Sequence, residues 1–225
     1  MSPRVALVTG ARGGIGAAIC ARLEHDGWAV HGVDVEDADL TTRAGNRAVV
    51  EAALSTHGRL DAIVPNAGFQ HVAPVRDFPE ERWDRLIALL LTSPFLLAKY
   101  AWDALAASGD GRICVVASAH ALTASPFKAA YVAAKHGVLG LVKTLALEGA
   151  EAGICATAVC PAFVRTPLAE QQVAERGLDA VIERHAVKRM LEPEEVADVV
   201  AFLLGPSGRG FTGVPVPIDL GWTAA

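Results

Sequence analysis

The chain has no excess of basic residues, and this absence argues against one class of partner. Its 225 residues include 20 Lys and Arg against 25 Asp and Glu, which gives a formal net charge of −5. Domains that bind nucleic acid usually show a basic excess or a clustered basic stripe. We therefore expect no nucleic-acid partner. A hydrophobic share of 52% predicts one folded domain rather than a disordered chain.

Long apolar runs are also scarce. The longest charge-free candidate covers residues 86–98, is 13 residues long and is interrupted by Thr92, Ser93 and Pro94. A helix of that length is too short to cross a bilayer. Residues 5–8 form only a short apolar run near the N-terminus, without the hydrophobic core of a signal peptide. We expect a cytoplasmic protein with no membrane partner.

Cysteine and histidine do not occur in metal-binding spacings. The four cysteines, Cys20, Cys114, Cys155 and Cys160, match neither a zinc pattern nor a redox Cys-x-x-Cys. The histidines show no H-E-x-x-H. We therefore expect free thiols and no metal.

Short β-branched runs alternate with longer helical patterns along the chain. Continuous apolar strands separated by helices indicate a parallel sheet covered on both faces. The predicted fold is a single α/β domain, residues 1–225, with a doubly wound parallel sheet of Rossmann type. A nucleotide half would end at about residue 118, and a catalytic and substrate half would follow. The predicted strands are residues 5–8, 29–33, 60–64, 112–117, 154–159 and 214–218.

One passage of this pattern is short. Only about 26 residues separate Asp34 from Leu60, fewer than a full strand-helix-strand-helix passage needs. We expect a helix there to be reduced to a loop, and the third strand to be confined to residues 38–40.

A glycine-rich turn, residues 9–16, follows the first predicted strand. Glycines let a turn tighten and let the backbone approach a pyrophosphate, while the free amides of the following helix attract its charge. The spacing differs from the usual G-x-G-x-x-G, so the turn alone is not diagnostic. It gains weight from Asp34, which lies 18 residues beyond Gly16, near where an acid meets the adenosine ribose hydroxyls.

The charges near Asp34 bear on the choice of cofactor. Asp34, Glu36 and Asp37 would repel the 2′-phosphate of NADP, whereas Arg12 would attract it. Three acids against one base favour NAD.

A tyrosine and a lysine follow the predicted strand at residues 112–117. Tyr131 and Lys135 are four residues apart and so share a helix face. A lysine cation beside a phenol lowers the tyrosine pKa, so that the phenol can exchange a proton with an alcohol or a carbonyl. Ser118 ends the strand just before them. Alone, Tyr-x-x-x-Lys is frequent by chance.

Five motifs in order make the chain resemble the short-chain dehydrogenase/reductase family: residues 9–16, 66–68, Ser118, Tyr131-x-x-x-Lys135 and residues 161–166. The resemblance implies that Tyr131 is the general acid/base, that Ser118 hydrogen-bonds the reacting oxygen, and that Lys135 tunes Tyr131 and holds the nicotinamide ribose. The implied NAD-binding residues are Gly10, Arg12, Gly14, Ile15, Gly16, Asp34, Asn66, Ala67, Gly68, Tyr131, Lys135, Val164 and Thr166.

Within the family the likeness is closer to bacterial D-3-hydroxybutyrate dehydrogenases, on residues 66–74, 117–120 and 128–137. It implies that four side chains grip a substrate carboxylate: Gln70, His120, Lys128 and, less securely, Gln172. Phe163 stands where those enzymes have a tryptophan over the substrate, which leaves more room. Trp222 could also cover the pocket.

The sequence departs from the family at Leu90, where an asparagine usually holds a water that relays protons from the lysine. An apolar side chain cannot hold that water by its own hydrogen bonds. We hypothesise that Ser93, one helical turn on, or a rearranged water chain takes over, and that turnover is slower than in the relatives.

The expected activity is NAD-dependent interconversion of (R)-3-hydroxybutyrate and acetoacetate. Two alternatives stay open: a dehydrogenase for another small secondary alcohol or cyclic diol, because fold and catalytic residues do not choose the substrate, and a non-catalytic NAD-binding sensor. Residues 86–102 and 131–147 are too apolar for a surface. The family pairs such helices across two-fold axes, so we expect a dimer or tetramer.

Overall fold

A six-stranded parallel sheet forms the centre of the protein. The computed structural model describes residues 2–224, and all of their side chains except those of Leu168 and Gln172. The strand order is β2-β1-β3-β4-β5-β6, and every neighbouring pair is parallel. The strands are β1 (Val5–Thr9), β2 (Ala29–Val33), β3 (Ala62–Val64), β4 (Gly111–Val116), β5 (Ile154–Pro161) and β6 (Pro215–Ile218). Each coincides with one of the six apolar runs, which confirms the predicted doubly wound fold.

Helices cover both faces of this sheet, and an additional pair lies between β5 and α8. Their bounds are α1 (Gly14–His25), α2 (Arg43–His57), α3 (Glu80–Ile87), α4 (Ser93–Ala107), α5 (Ala129–Gly149), α6 (Pro167–Arg176), α7 (Leu178–Ile182) and α8 (Pro193–Leu204). A π-helical turn, Ala88–Thr92, joins α3 to α4.

Alternating side chains of the central strands enter two separate cores. In β4, Ile113 and Val115 face a core shared with α2, α4 and α5, whereas Cys114 and Val116 face one shared with α1 and α8. All four are buried. The strands are therefore apolar on both faces, as a sheet between two helical layers requires.

The expectation of a short third strand at residues 38–40 is wrong. Those residues form a turn within the described structure, and α2 begins almost at once, with the Thr42 hydroxyl accepting from Gly45 N at 3.0 Å. The buried Asn46 side chain donates to Leu40 O at 2.8 Å and Thr42 O at 2.7 Å. Hydrogen bonds from a helix thus satisfy carbonyls that a strand would have paired. One helix survives in the short passage, and β2 is left at the edge of the sheet.

The helical run from Glu80 to Ala107 is longer than the 13-residue charge-free run considered in the sequence. Its 28 residues would suffice, by length and composition only, to cross a membrane. Its apolar residues Leu97, Ala98 and Ala101 are buried in the core against the sheet. We attribute its composition to this core position.

The topology places the functional segments together. The chain crosses to opposite sides of the sheet after β1 and β3, and ligands of such sheets bind beyond the carboxyl ends of the strands at this point. The glycine turn, Asn66, Ser118 and residues 162–166 all follow strand ends there.

Candidate functional site

The glycine turn is shaped by close contacts of its backbone. Gly10 has a φ of 66°, a conformation that favours glycine. A Cβ added at Gly16 would lie 1.9 Å from Gly10 O, and one at Gly14 would lie 2.9 Å from the Thr166 side chain. Gly13 caps α1 without a side-chain hydrogen bond. The backbone amides at the start of α1 are therefore available for a phosphate.

Asn66 ties this turn to the end of β3. Its side-chain nitrogen donates to Thr9 O at 3.0 Å and to Gly10 O at 3.3 Å. The Thr9 hydroxyl accepts from Asn66 N at 3.0 Å and from Ala67 N at 3.1 Å. Asn66 was predicted to line the cofactor site. It also has a structural role, because it holds the glycine turn against the end of β3.

A cleft of about 630 Å³ opens over the turn, and we call it the cofactor cleft. Asp34 Oδ2 accepts from Arg12 N at 2.8 Å, which fixes the carboxylate at the wall. Ten of the predicted cofactor residues line this cleft: Gly10, Arg12, Gly14, Ile15, Gly16, Asp34, Asn66, Ala67, Gly68 and Thr166. Its glycine cradle and terminal carboxylate fit a dinucleotide.

A smaller cavity of about 120 Å³, the catalytic pocket, adjoins the cleft. Ile15 and Thr166 line both spaces, so the two are continuous. The predicted residues Gln70, Ser118, His120, Lys128, Tyr131, Phe163 and Val164 line the pocket. The side chain of Gln172 lies outside the described residues.

Tyr131, the predicted acid-base group, lines the pocket. Burial raises the pKa of its phenol, and hydrogen bonds with Ser118 and Gln70 oppose that rise. The Ser118 hydroxyl also accepts from His120 N at 3.2 Å. The expectation that Lys135 lowers the tyrosine pKa is wrong for the site as it stands, because burial is the larger effect and the Lys135 ammonium lies 5.7 Å from the phenol ring centre.

Lys135 is held beneath the pocket instead. Its Nζ donates to Val116 O at 2.8 Å, and its side chain is almost fully buried. Burial lowers the lysine pKa to about 8. Lys135 also lines a separate cavity of about 10 Å³, together with Leu90 and Ser93. That volume is about the size of one water molecule.

Lys128 and His120 give the pocket its charge. Lys128 is only 6% exposed, and burial with the nearby Arg176 lowers its pKa to about 8. Burial lowers the pKa of His120 to about 4, and Lys128 adds to this effect, so His120 is neutral near pH 7. The His120 Nε2 lies 2.9 Å from the Ser125 hydroxyl. The pocket therefore holds one cation and a neutral imidazole.

Trp222, near the C-terminus of the chain, covers the catalytic pocket, as the sequence analysis suggested. It is 3% exposed, and its ring centre lies 4.9 Å from that of His120. Ala162 and Ala169 line the same pocket and were not predicted. Small apolar residues carry no functional group that a sequence could reveal. The place of Ala169 in the pocket wall is therefore evident only from the packing of α6.

Comparison with known proteins agrees with this geometry. The family model described as enoyl-(acyl carrier protein) reductase matches residues 30–223. D-beta-hydroxybutyrate dehydrogenase of Rhizobium meliloti is 36% identical, covering 98% of this chain and 99% of its own. The enzyme of the same name from Cupriavidus necator is 36% identical, covering 100% and 99%. The crystal structure of 3-ketoacyl-(acyl-carrier-protein) reductase from Brucella melitensis complexed with NADH superimposes with a TM-score of 0.90, at 29% identity and 98% coverage of each chain.

Proposed function

Because the chain belongs to the short-chain dehydrogenase/reductase family and is an oxidoreductase acting on CH–OH groups, we propose that it uses NAD to interconvert (R)-3-hydroxybutyrate and acetoacetate. A small 3-hydroxy acid and its 3-keto acid define the substrate class.

Lys128 carries this proposal. Its side chain is buried in the wall of the catalytic pocket, and no carboxylate of the described residues lies within ion-pair distance of it. A buried cation without a partner is costly, and an anionic ligand relieves that cost. The described residues that line the pocket with it are all neutral, and the Phe163 ring centre lies 5.5 Å from its ammonium. A substrate carboxylate supplies the missing charge.

Neutral groups complete the grip on such an acid. Gln70 has its Oε1 buried without a hydrogen-bond partner among the described residues, so a bound hydroxyl would satisfy it. His120 presents a neutral ring beside Tyr131, with their ring centres 5.9 Å apart. One cation and several hydrogen-bonding groups replace the water that a carboxylate loses on binding.

Proton transfer falls to Tyr131. When the keto acid is reduced, the phenol donates its proton to the carbonyl oxygen, and Ser118 hydrogen-bonds that oxygen; oxidation returns the proton to the tyrosine. The nicotinamide ring, when bound, supplies or accepts the hydride at the carbinol carbon.

The acids beside the cofactor cleft support NAD over NADP. Arg12 is the cation within the turn that could contact a 2′-phosphate, but its guanidinium already lies 2.8 Å from Glu36 and 3.0 Å from Asp37. These bonds hold the pKa of the Asp37 carboxyl below its usual range. A 2′-phosphate would therefore be repelled by Asp34, Glu36 and Asp37, and Arg12 would not be free to bind it.

The small cavity under Lys135 supports a role for Ser93 in proton exit. Ser93 is 2% exposed, donates to Asn46 Oδ1 at 2.6 Å and lines the cavity that Lys135 shares, so its oxygen can still accept a hydrogen bond. Leu90 fills the position that the family gives to asparagine. We infer that one water bridges Lys135 and Ser93. This path for the proton is less polar than one that includes the side-chain amide of an asparagine at position 90.

The proposal also covers location and assembly. A cytoplasmic location is supported by the four cysteines, all of which are free thiols. A homo-oligomer is supported by apolar side chains left on the outer faces of α4 and α5, where Phe95 is 43% exposed and Leu147 is 81% exposed.

Removing the Lys128 charge should weaken the binding of acids selectively. In Lys128→Met we expect the KM for 3-hydroxybutyrate to rise roughly 10- to 100-fold, because a hydrogen bond to a charged group contributes about 1.5–3 kcal/mol. The methyl ester of the same acid should show little change. The measurement follows NAD reduction by absorbance, with Lys143→Met on the exposed side of α5 as the control.

The same comparison has a pH dependence. Lys128 loses its charge above a pKa of about 8, so the KM for the acid should rise as pH increases through this value. Lys135 titrates in the same range but affects both substrates, so the acid-to-ester ratio isolates Lys128. Equal loss for acid and ester, or activity confined to uncharged alcohols, would refute the carboxylate site.

Freeing Arg12 should relax cofactor choice. In the double variant Glu36→Gln and Asp37→Asn, we expect the KM for NADP to fall several-fold while that for NAD changes little, because the guanidinium is released for a 2′-phosphate. Glu51→Gln, exposed on α2, controls for net charge. An unchanged NADP-to-NAD ratio of kcat/KM would contradict this account.

An amide at position 90 should speed proton exit. We expect Leu90→Asn to raise kcat and to change its solvent deuterium isotope effect, because a side-chain amide can hold a water beside Lys135. Leu90→Met, which keeps the volume without an amide, is the control. If the rate of the chemical step is the same in both, proton exit does not depend on this residue.

A charge on the exposed apolar side of α5 should disrupt assembly. Light scattering should give a dimer or tetramer mass for the protein and a smaller mass for Leu147→Glu, whereas Ala52→Glu, at an exposed position of α2, should behave as the parent. A monomeric parent protein would rule out the proposed oligomer.

A further inference from the structure

A second cavity, which we call the outer cavity, opens directly from the catalytic pocket. Its volume is about 630 Å³, against about 120 Å³ for the pocket. The two share Gln70, Lys128, Phe163 and Trp222, so these side chains form the neck between them. The four-carbon acid proposed above uses the pocket and leaves the outer cavity unexplained.

Two arginines line the outer cavity beyond Lys128. These are Arg176, at the end of α6, and Arg184, just after α7. Neither has a carboxylate within ion-pair distance among the described side chains, although Glu175 and Glu183 also line the cavity. The Glu175 carboxylate instead accepts from Gln171 at 3.0 Å, within its own helix.

Other arginines around this segment are paired. Arg165 lies 3.0 Å from Glu192, and Arg189 lies 2.6 Å from Glu195. Arg176 and Arg184 therefore differ from these neighbouring arginines, which form ion pairs.

Arg184 is held by an aromatic face rather than by an acid. Its guanidinium carbon lies 4.4 Å from the Trp222 ring centre, and the Trp222 ring is almost fully buried. A guanidinium stacked in this way keeps its N–H edge free and oriented for bidentate binding of a carboxylate.

The same stack connects Arg184 to the catalytic phenol. Trp222 packs on His120 with ring centres 4.9 Å apart, and His120 packs on Tyr131 with ring centres 5.9 Å apart. Arg184 is thus linked to Tyr131 through Trp222 and His120, on the side of the pocket that opens into the outer cavity.

From these contacts we propose that the outer cavity binds a second carboxylate of the substrate. Lys128 holds one carboxylate at the neck, and Arg184, assisted by Arg176, holds the other. The substrate class is then a hydroxy dicarboxylic acid of five carbons or more. This inference rests on the proposed function, since it assumes that a hydroxy acid reacts at Tyr131.

Substrates matched in carbon number isolate the second charge. We compare kcat/KM for 3-hydroxyadipate with that for 3-hydroxyhexanoate, and for 3-hydroxyglutarate with that for 3-hydroxypentanoate, each with NAD. In at least one pair the dicarboxylate should be favoured about tenfold, which corresponds to about 1.4 kcal/mol. High salt should reduce this preference, because Arg184 lies at an exposed rim.

Variants assign the preference to the cavity. Arg184→Gln should bring the ratio of dicarboxylate to monocarboxylate close to one, Glu183→Gln should raise it, and Arg43→Gln on distant α2 should leave it unchanged. If 3-hydroxybutyrate is oxidised but neither dicarboxylate is preferred, or if Arg184→Gln lowers both members of a pair equally, only this inference fails. If no hydroxy acid reduces either nicotinamide cofactor, the proposed function fails and this inference with it.

Discussion

The contact between Gly16 and the carbonyl of Gly10 sets the geometry on which the rest of the site depends. There is no room for a side chain between them, since a Cβ at Gly16 would lie 1.9 Å from that oxygen. Helix α1 can therefore start directly over the end of β1, with its amides facing the cofactor cleft. Asn66 fixes the same turn to β3 through two hydrogen bonds. The cleft, and with it the position of the catalytic pocket beside Ile15 and Thr166, follows from this packing.

Much of this arrangement could be predicted from the sequence, because strand burial and motif order are local properties. The six apolar runs predicted the strands, the residues that follow them predicted Ser118 and most cofactor residues, and the Tyr-x-x-x-Lys spacing predicted Tyr131 and Lys135. The strand at residues 38–40 could not be predicted correctly, since its absence depends on the Asn46 side chain reaching back to Leu40 and Thr42. The direction of the Tyr131 pKa was also missed, because it depends on burial and on where Lys135 finds its acceptor.

The outer cavity shows a different limit of sequence reasoning. Its walls come from chain segments far apart, with Lys128 before α5, Arg184 after α7 and Trp222 near the C-terminus. No spacing in the sequence relates these residues. An arginine in a polar, helical segment looks like an ordinary surface residue until the aromatic ring beneath it is seen. Substrate choice in this fold depends on such tertiary contacts more than on the catalytic motifs.

The loss of the strand beyond β2 has a consequence for the cofactor cleft. In the described structure β2 is hydrogen-bonded to β1 alone, and Asp34 follows directly from it. An edge strand has unpaired backbone groups along one side and opens more readily than a central one. The adenosine end of the cleft is thus carried by the least protected strand, whereas Ser118 and Lys135 are anchored to β4, in the middle of the sheet. Backbone amides of β2 should exchange with solvent faster than those of β4, and a bound dinucleotide should slow exchange most at this edge.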